Sequence, residues 1–182
     1  MPLLLLDRDG TLVREVGFPS DPKKVRLLSG VPQALKKLKR AGFHLVVVTN
    51  QSGVGRGLVT LKQLHRVNRR FLELLKAKGA RIDGLYWCPH RPQDGCSCRK
   101  PKLGMVRQAA RDLKISWKGS ISVGDRLTDV MLGKRTGGLG VLVLTGYGRR
   151  WVKKRGTVHP DHVAATFARA ADWIIRRERE RS

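Results

Sequence analysis

Short, nearly unbroken apolar runs alternate with stretches of helical period along this chain, and that alternation admits few architectures. The runs Leu3–Leu6, His44–Thr49, Gly84–Cys88, Ser120–Gly124, Val141–Thr145 and His162–Ala164 read as strands. Apolar on both sides rather than alternating, they suit a sheet covered on both faces. Between them, Val31–Ala41, Leu61–Ala77, Gly104–Leu113, Thr128–Thr136 and Phe167–Arg179 carry apolar residues at helical spacing, with Thr60 placed to cap the second and Gly79 to end it. Successive βα units of this kind predict an α/β fold: a doubly wound, Rossmann-like, mostly parallel sheet. With 182 residues, no internal repeat and no long linker, the chain is expected to form one domain over 1–182.

In such a sheet, ligands sit outside the carboxyl ends of the strands. Four polar clusters fall there: DRDGT after the first strand, TNQSG after the second, CPHRPQDGCSCRKP after the third and GDRLTD after the fourth. Asp7 and Asp9 are one residue apart, so while strand geometry persists their side chains share a side and Arg8 points away. Two neighbouring carboxylates repel unless something positive joins them. A hard divalent cation such as magnesium fits, with Asp125 as third contributor and Asp129 one helical turn on. One oxygen of Asp7 is then free to act as a nucleophile toward phosphorus, and Asp9 is placed to protonate the leaving alcohol and to activate water. The competing interpretation, a simple turn closing the strand, leaves Asp125 and Asp129 unexplained.

Thr49, Asn50, Gln51 and Ser52 precede a glycine-rich turn, where a hydroxyl and free N–H groups can grip phosphate oxygens or simply lead into the Thr60-capped helix. All three cysteines, Cys88, Cys96 and Cys98, lie within eleven residues of one another together with His90. This Cys3His set suits a closed, structural zinc site in the loop 88–98 and argues against a disulfide framework. Arg99 and Lys100 follow directly: the lysine suits a transferring phosphoryl group, and the planar guanidinium a second phosphate or a substrate oxygen.

Lys and Arg number 38 against 14 Asp and Glu, a formal charge of +24. A field of that sign attracts phosphate-bearing partners, nucleic acid among them. Most of the excess falls on solvated helix faces, however, with local clusters only at Arg149–Arg155 and Arg176–Arg181. Aromatic residues make up 5% of the chain and form no interleaved stacking stripe, so nucleic acid is not the favoured partner. The four-leucine opening run is too short for a secretory signal, and no stretch approaches the roughly 18 apolar residues of a membrane span. The expectation is a cytoplasmic monomer without membrane contact.

DRDGTLV, VVVTNQSG, CRKP and VGDRLTD resemble, in that order, the four motifs of the haloacid dehalogenase (HAD) superfamily of aspartate-nucleophile phosphatases. The resemblance covers about residues 3–145, and the added zinc loop is similar to the heptose bisphosphate phosphatase branch, whose relatives include histidinol-phosphate phosphatases. It implies Asp7 as nucleophile, Asp9 as acid and base, and Thr49 and Lys100 as phosphoryl stabilisers. It further implies magnesium held by the Asp7 and Asp125 carboxylates and the Asp9 carbonyl, and a small sugar bisphosphate as substrate. That substrate meets Glu15, Val16, Gly17, Phe18, Asn50, Gln51, Ser52, Arg99 and Arg126. Only Arg14–Lys24 separates the first motif from the first helix, so the large mobile cap of many superfamily members is absent. Alternatives within this reading are hydrolysis of histidinol phosphate or of a nucleic-acid 3′-phosphate; from another class comes a non-catalytic nucleic-acid-binding protein.

Overall fold

Leu3–Leu6 forms the first strand, β1, and its four leucines are among the most deeply buried residues of the chain. Alternation along the strand sends them to opposite sides. Leu4 and Leu6 join Leu45 and Val47 in the larger core, whereas Leu3 and Leu5 join Val46 and Val48 in a second, smaller one. Such two-sided burial is the reason the run is apolar throughout.

The computed structural model describes residues 3–152 and 158–180. Lys153, Lys154 and Arg155 of the first basic cluster and Arg181 of the second therefore lie outside the described residues. The elements are β1, α1 (Val31–Arg40), β2 (His44–Asn50), α2 (Leu61–Ala77), β3 (Gly84–Cys88), α3 (Gly104–Leu113), β4 (Ile121–Gly124), α4 (Leu127–Arg135), β5 (Gly140–Val143), α5 (Gly148–Val152), β6 (His162–Ala164) and α6 (Phe167–Arg179). Among the described residues the strands form one sheet, ordered β3-β2-β1-β4-β5-β6, with every neighbouring pair parallel. Helices α1, α2 and α6 cover the larger core; α3, with Leu132 of α4, covers the other face.

β1 lies between β2 and β4, so the winding reverses across it and a crevice opens beyond the carboxyl ends of these three strands. The register fixes which residues emerge there. Leu6 pairs with Val47 and Val123, and the Asp7 N–H donates to the Val123 carbonyl at 2.9 Å, carrying the ladder one residue past β1.

The boundaries differ from the sequence expectation where side chains recruit the backbone. β5 ends at Val143 because Thr145, expected within it, turns its hydroxyl to the Gly10 carbonyl at 2.6 Å. α4 starts one residue early, its end tied by the Arg126 N–H donating to the Asp129 carboxylate at 3.1 Å. Thr60 caps α2 as its sequence implies, accepting from the Gln63 N–H at 3.1 Å while Gln63 accepts from the Thr60 N–H at 2.8 Å. The short α5 is not evident from the sequence. Among the described residues no helix is long and apolar enough to cross a membrane.

Candidate active site

Strand ends β1, β2 and β4, together with the loop after β3, deliver their polar residues to one place. The Lys100 ammonium lies 2.6 Å from Oδ1 of Asp7 and 2.6 Å from Oδ1 of Asp129, with all three residues buried. Burial alone would drive a lysine toward its neutral form, but the paired carboxylates of Asp129 and Asp7 outweigh it and hold the ammonium above its ordinary range.

Asp125, fully buried at the end of β4, completes the acidic group: one oxygen each from Asp7, Asp125 and Asp129 lie within 4.8 Å of one another. Its Oδ2 accepts from the Tyr147 backbone N–H at 2.7 Å, while Oδ1 has no hydrogen-bond partner. Two glycines with positive φ make room for it. A Cβ at Gly10 would stand 2.2 Å from Asp125 Oδ2, and one at Gly146 2.1 Å from the same oxygen. An orphaned, buried carboxylate oxygen facing two further carboxylates is a donor set for a hard divalent cation. Without a cation the arrangement is costly to ionise. Burial first, then the Asp129 and Asp9 charges, push Asp7 up to about 7 against the pull of Lys100. Burial and the Asp7 and Asp129 charges push Asp125 up to about 8.

Asp9 takes partners of its own, because strand alternation stops at Leu6. Its Oδ2 accepts from Arg8 at 2.8 Å and from Gln51 Nε2 at 2.7 Å, and Gln51 Nε2 also contacts Thr49 Oγ1 at 2.8 Å. Arg8 does leave the crevice, as expected, yet its guanidinium folds back under Asp9 and is fully buried.

The last residue of β3, Cys88, and the loop after it bring Cys88, His90, Cys96 and Cys98 together. Cys88 Sγ lies 3.6 Å from both His90 Nδ1 and Cys96 Sγ, Cys98 Sγ is 3.2 Å from His90 Nδ1, and Cys96 and Cys98 are 3.5 Å apart. Ligands around a tetrahedral zinc stand about 3.6–3.8 Å from one another at ordinary Zn–S and Zn–N lengths; two of these separations match and the other two are shorter, and all four atoms lie within 4.8 Å of one another. Beyond it the peptide Lys100–Pro101 is cis. The Lys100 N–H donates to Asn50 Oδ1 at 3.0 Å and the Lys100 carbonyl accepts from Asn50 Nδ2 at 3.3 Å, clamping this segment to the end of β2. Gln51 N–H donates to the Cys88 carbonyl at 2.7 Å, a second tie between the two segments.

A cleft of about 200 Å³ opens over Asp7 and Asp9. Thr49, Asn50, Gln51, Ser52, Glu15, Gly17, Phe18, Arg99, Lys100 and Arg126 also line it. Val16 does not; it lines a small neighbouring cavity against Arg8 and Asp9. Arg126 sits 4.3 Å over the Tyr147 ring, with Glu15 3.9 Å away, and Arg99 donates to the His90 carbonyl at 3.2 Å.

Four contributors escape a reading of the sequence: Arg8, Asn68, Tyr147 and Trp151. The Asn68 side chain bonds Arg8, and its position does carry a signal, a polar residue on the buried stripe Leu64–Val67–Phe71–Leu75 of α2. Tyr147 and Trp151, the latter lining the cleft, follow the fifth strand end, where the same strand-end logic applies.

The HAD-hydrolase-like family model matches residues 97–170. The chain is 37% identical over 186 residues to the D-glycero-D-manno-heptose-1,7-bisphosphate 7-phosphatase of Thermosynechococcus vestitus, covering 95% of each chain. To the D-glycero-beta-D-manno-heptose-1,7-bisphosphate 7-phosphatase of Bordetella bronchiseptica it is 35% identical, covering 96% of this chain and 98% of that one. The crystal structure of a B. bronchiseptica D,D-heptose 1,7-bisphosphate phosphatase, complexed with magnesium and phosphate, superimposes with a TM-score of 0.88 at 34% identity, covering 97% of this chain and 99% of that one. With a six-stranded parallel sheet, a carboxylate crevice at its switch point and relatives matching nearly end to end, the chain belongs to the HAD-like hydrolases, in the family of the heptose-1,7-bisphosphate 7-phosphatases.

Proposed function

We propose that this protein hydrolyses one phosphate monoester of a small sugar bisphosphate, D-glycero-D-manno-heptose 1,7-bisphosphate, to the heptose 1-phosphate and inorganic phosphate. The observation that carries the reading is Asp7: buried and paired to Lys100 on one oxygen, yet lining the cleft beside Oδ1 of Asp125, which accepts no hydrogen bond among the described residues and has Arg126 4.0 Å away. The names of the relatives support the substrate, and the magnesium and phosphate of the B. bronchiseptica structure support the ion.

Asp7 attacks phosphorus, and the bond from phosphorus to the sugar oxygen breaks with its electron pair passing to that oxygen, which takes a proton from Asp9. Water then attacks the phosphorus of the aspartyl-phosphate while Asp9 takes its proton, and the Asp7 carboxylate is restored. Lys100 and Thr49 lie against the transferring phosphoryl group and stabilise its charge. Magnesium, held by the Asp7 and Asp125 carboxylates and the Asp9 carbonyl, supplies charge neutralisation of the nucleophile and the phosphoryl oxygens. Asp129 acts through Lys100, which occupies its Oδ1.

Arg99 and Arg126 bind the remaining phosphate; Glu15, Gly17, Phe18, Asn50, Gln51 and Ser52 shape the sugar subsite, with Val16 behind it. Zinc closes the loop 88–98 as a structural site. The site draws on segments from Asp7 to Trp151, in keeping with a single catalytic unit over 1–182; a monomer in a reducing cytoplasm completes the proposal.

A phosphate-release panel with magnesium tests the proposal, comparing heptose and hexose bisphosphates, histidinol phosphate and 3′-phosphorylated oligonucleotides. The heptose bisphosphate is expected to give the highest kcat/KM, and Asp7→Asn to lose at least about a thousandfold in kcat. Full turnover by that variant overturns the mechanism; a preference for histidinol phosphate or the oligonucleotide overturns the substrate.

A further inference from the structure

Among the described residues Arg8 is the largest side chain to be fully buried, and it stands between the two aspartates of the first motif. Its backbone already has a role: the Arg8 carbonyl accepts from the N–H groups of Leu12 at 2.9 Å and Val13 at 3.0 Å, which closes the turn whatever the side chain. Among the described residues the guanidinium bonds two partners, Asp9 and Asn68. Nε reaches both oxygens of Asp9 at 3.2 Å and one terminal nitrogen reaches Oδ2 at 2.8 Å, while the other terminal nitrogen donates to Oδ1 of Asn68 on α2. Burying a cation is expensive unless its partners are well placed. Apolar residues of similar volume often replace buried ion pairs without loss of stability, so the charge calls for another reason.

That reason is the orientation of Asp9. Oδ2 is fixed from two directions, by Arg8 at 2.8 Å and Gln51 at 2.7 Å, whereas among the described residues Oδ1 has the longer 3.2 Å contact with Arg8 Nε. The carboxyl group is thereby held in one orientation, with Oδ2 taken by two short contacts and Oδ1 by a single longer one. A guanidinium suits this because its planar fork sets a direction that a lysine ammonium does not. Asn68, 5% exposed on the inward stripe of α2, locks the far end of the fork, so helix α2 takes part in aiming a group at the end of β1.

We infer that Arg8, braced by Asn68, is a positioning residue that presents Oδ1 of Asp9 to the leaving-group oxygen of the substrate. The inference rests on the reading of Asp9 as the proton donor given above. Its signature is leaving-group dependence. An alkyl phosphate needs its departing oxygen protonated, whereas p-nitrophenolate leaves with little help, so a misaimed acid costs the first far more than the second.

The test compares kcat/KM for an alkyl sugar phosphate and for p-nitrophenyl phosphate in the magnesium-loaded enzyme. Arg8→Met is expected to lower the alkyl-to-aryl ratio by about tenfold to a hundredfold, part of the hundredfold or more that general acid catalysis supplies. Arg8→Lys restores part of the ratio, and Asn68→Ala moves it the same way by a smaller factor. In an Asp9→Asn background Arg8→Met should change the ratio no further, because it acts through the group already removed. Where Arg8→Met does not fold, Asn68→Ala alone and in the Asp9→Asn background carries the same comparison. A ratio unchanged in Asp9→Asn itself overturns the reading of Asp9. A ratio that falls in Asp9→Asn but holds in the Arg8 and Asn68 variants, or one that falls again in the double variants, overturns the role of Arg8.

Discussion

Lys100 Nζ stands 2.6 Å from Oδ1 of Asp7, and this contact ties the loop after β3 to the end of β1, 93 residues apart in sequence. The same ammonium holds Asp129 at the start of α4, so one cation links three segments. Neutralising Lys100 leaves two buried carboxylates without it. Lys100→Met is therefore expected to lose about 3–5 kcal/mol of stability in metal-free protein, the usual cost of breaking a buried ion pair. Urea unfolding measures this, and a parallel Lys100→Met/Asp129→Asn variant should recover part of the loss. A cost under about 1 kcal/mol contradicts the pairing.

The acidic group makes stability depend on pH in a fixed direction. Asp7 and Asp125 are pushed up from an ordinary 3.8 to about 7 and about 8, so across that interval the folded protein holds protons that the unfolded chain has released. Metal-free stability is accordingly full at the acid end of the interval for these two groups and falls as pH rises through their folded-state values. Magnesium requires the ionised carboxylates, so its stabilising effect grows over the same range. Melting temperatures in chelator and in excess magnesium, measured from pH 5 to 8.5, should diverge as pH rises; parallel curves refute the linkage.

Zinc at Cys88, His90, Cys96 and Cys98 predicts about one zinc per chain by elemental analysis of protein prepared without chelator. Cys98→Ser is expected to lower zinc content and melting temperature together, and to reduce kcat, because the loop also delivers Arg99 and Lys100. Full activity in protein shown to be zinc-free contradicts an architectural role.

Asn50 makes two reciprocal hydrogen bonds with the Lys100 backbone while itself lining the cleft. Asn50→Ala should cost about 1–3 kcal/mol in stability and lower kcat, since the buried Lys100 N–H loses its acceptor. Denaturant unfolding and steady-state kinetics on the same preparation check both; a change in KM alone disagrees.

The +24 charge sets up a positive field around the whole molecule. For a multiply charged phosphate ester, kcat/KM is expected to fall about three- to tenfold as ionic strength rises from roughly 0.01 to 0.2 M, with kcat nearly constant. A salt-independent kcat/KM removes steering as the consequence of that charge.

The strand and helix pattern was legible in the sequence because its signals are local. Four leucines in a row cannot alternate with solvent, Thr60 and Gln63 form a capping pair three residues apart, and the cysteines crowd one loop, so each pattern carries its own reason. The strand-end rule likewise singled out Asp7, Asp125 and Lys100, since a parallel sheet aligns the carboxyl ends of its strands whatever lies between them. Tertiary structure alone decided the partners. Strand alternation placed Asp7 and Asp9 side by side as a mutually repelling pair, but the strand ends at Leu6; Asp9 turns to Arg8 and Gln51, and Asp7 to Lys100. The orphaned Oδ1 of Asp125, the glycines pressed against it and the brace from Asn68 depend on distances between segments far apart in sequence. Local patterning determines what each segment becomes, while buried charge is settled only when the segments pack, because a desolvated carboxylate takes its partner from whatever the fold brings within hydrogen-bonding reach.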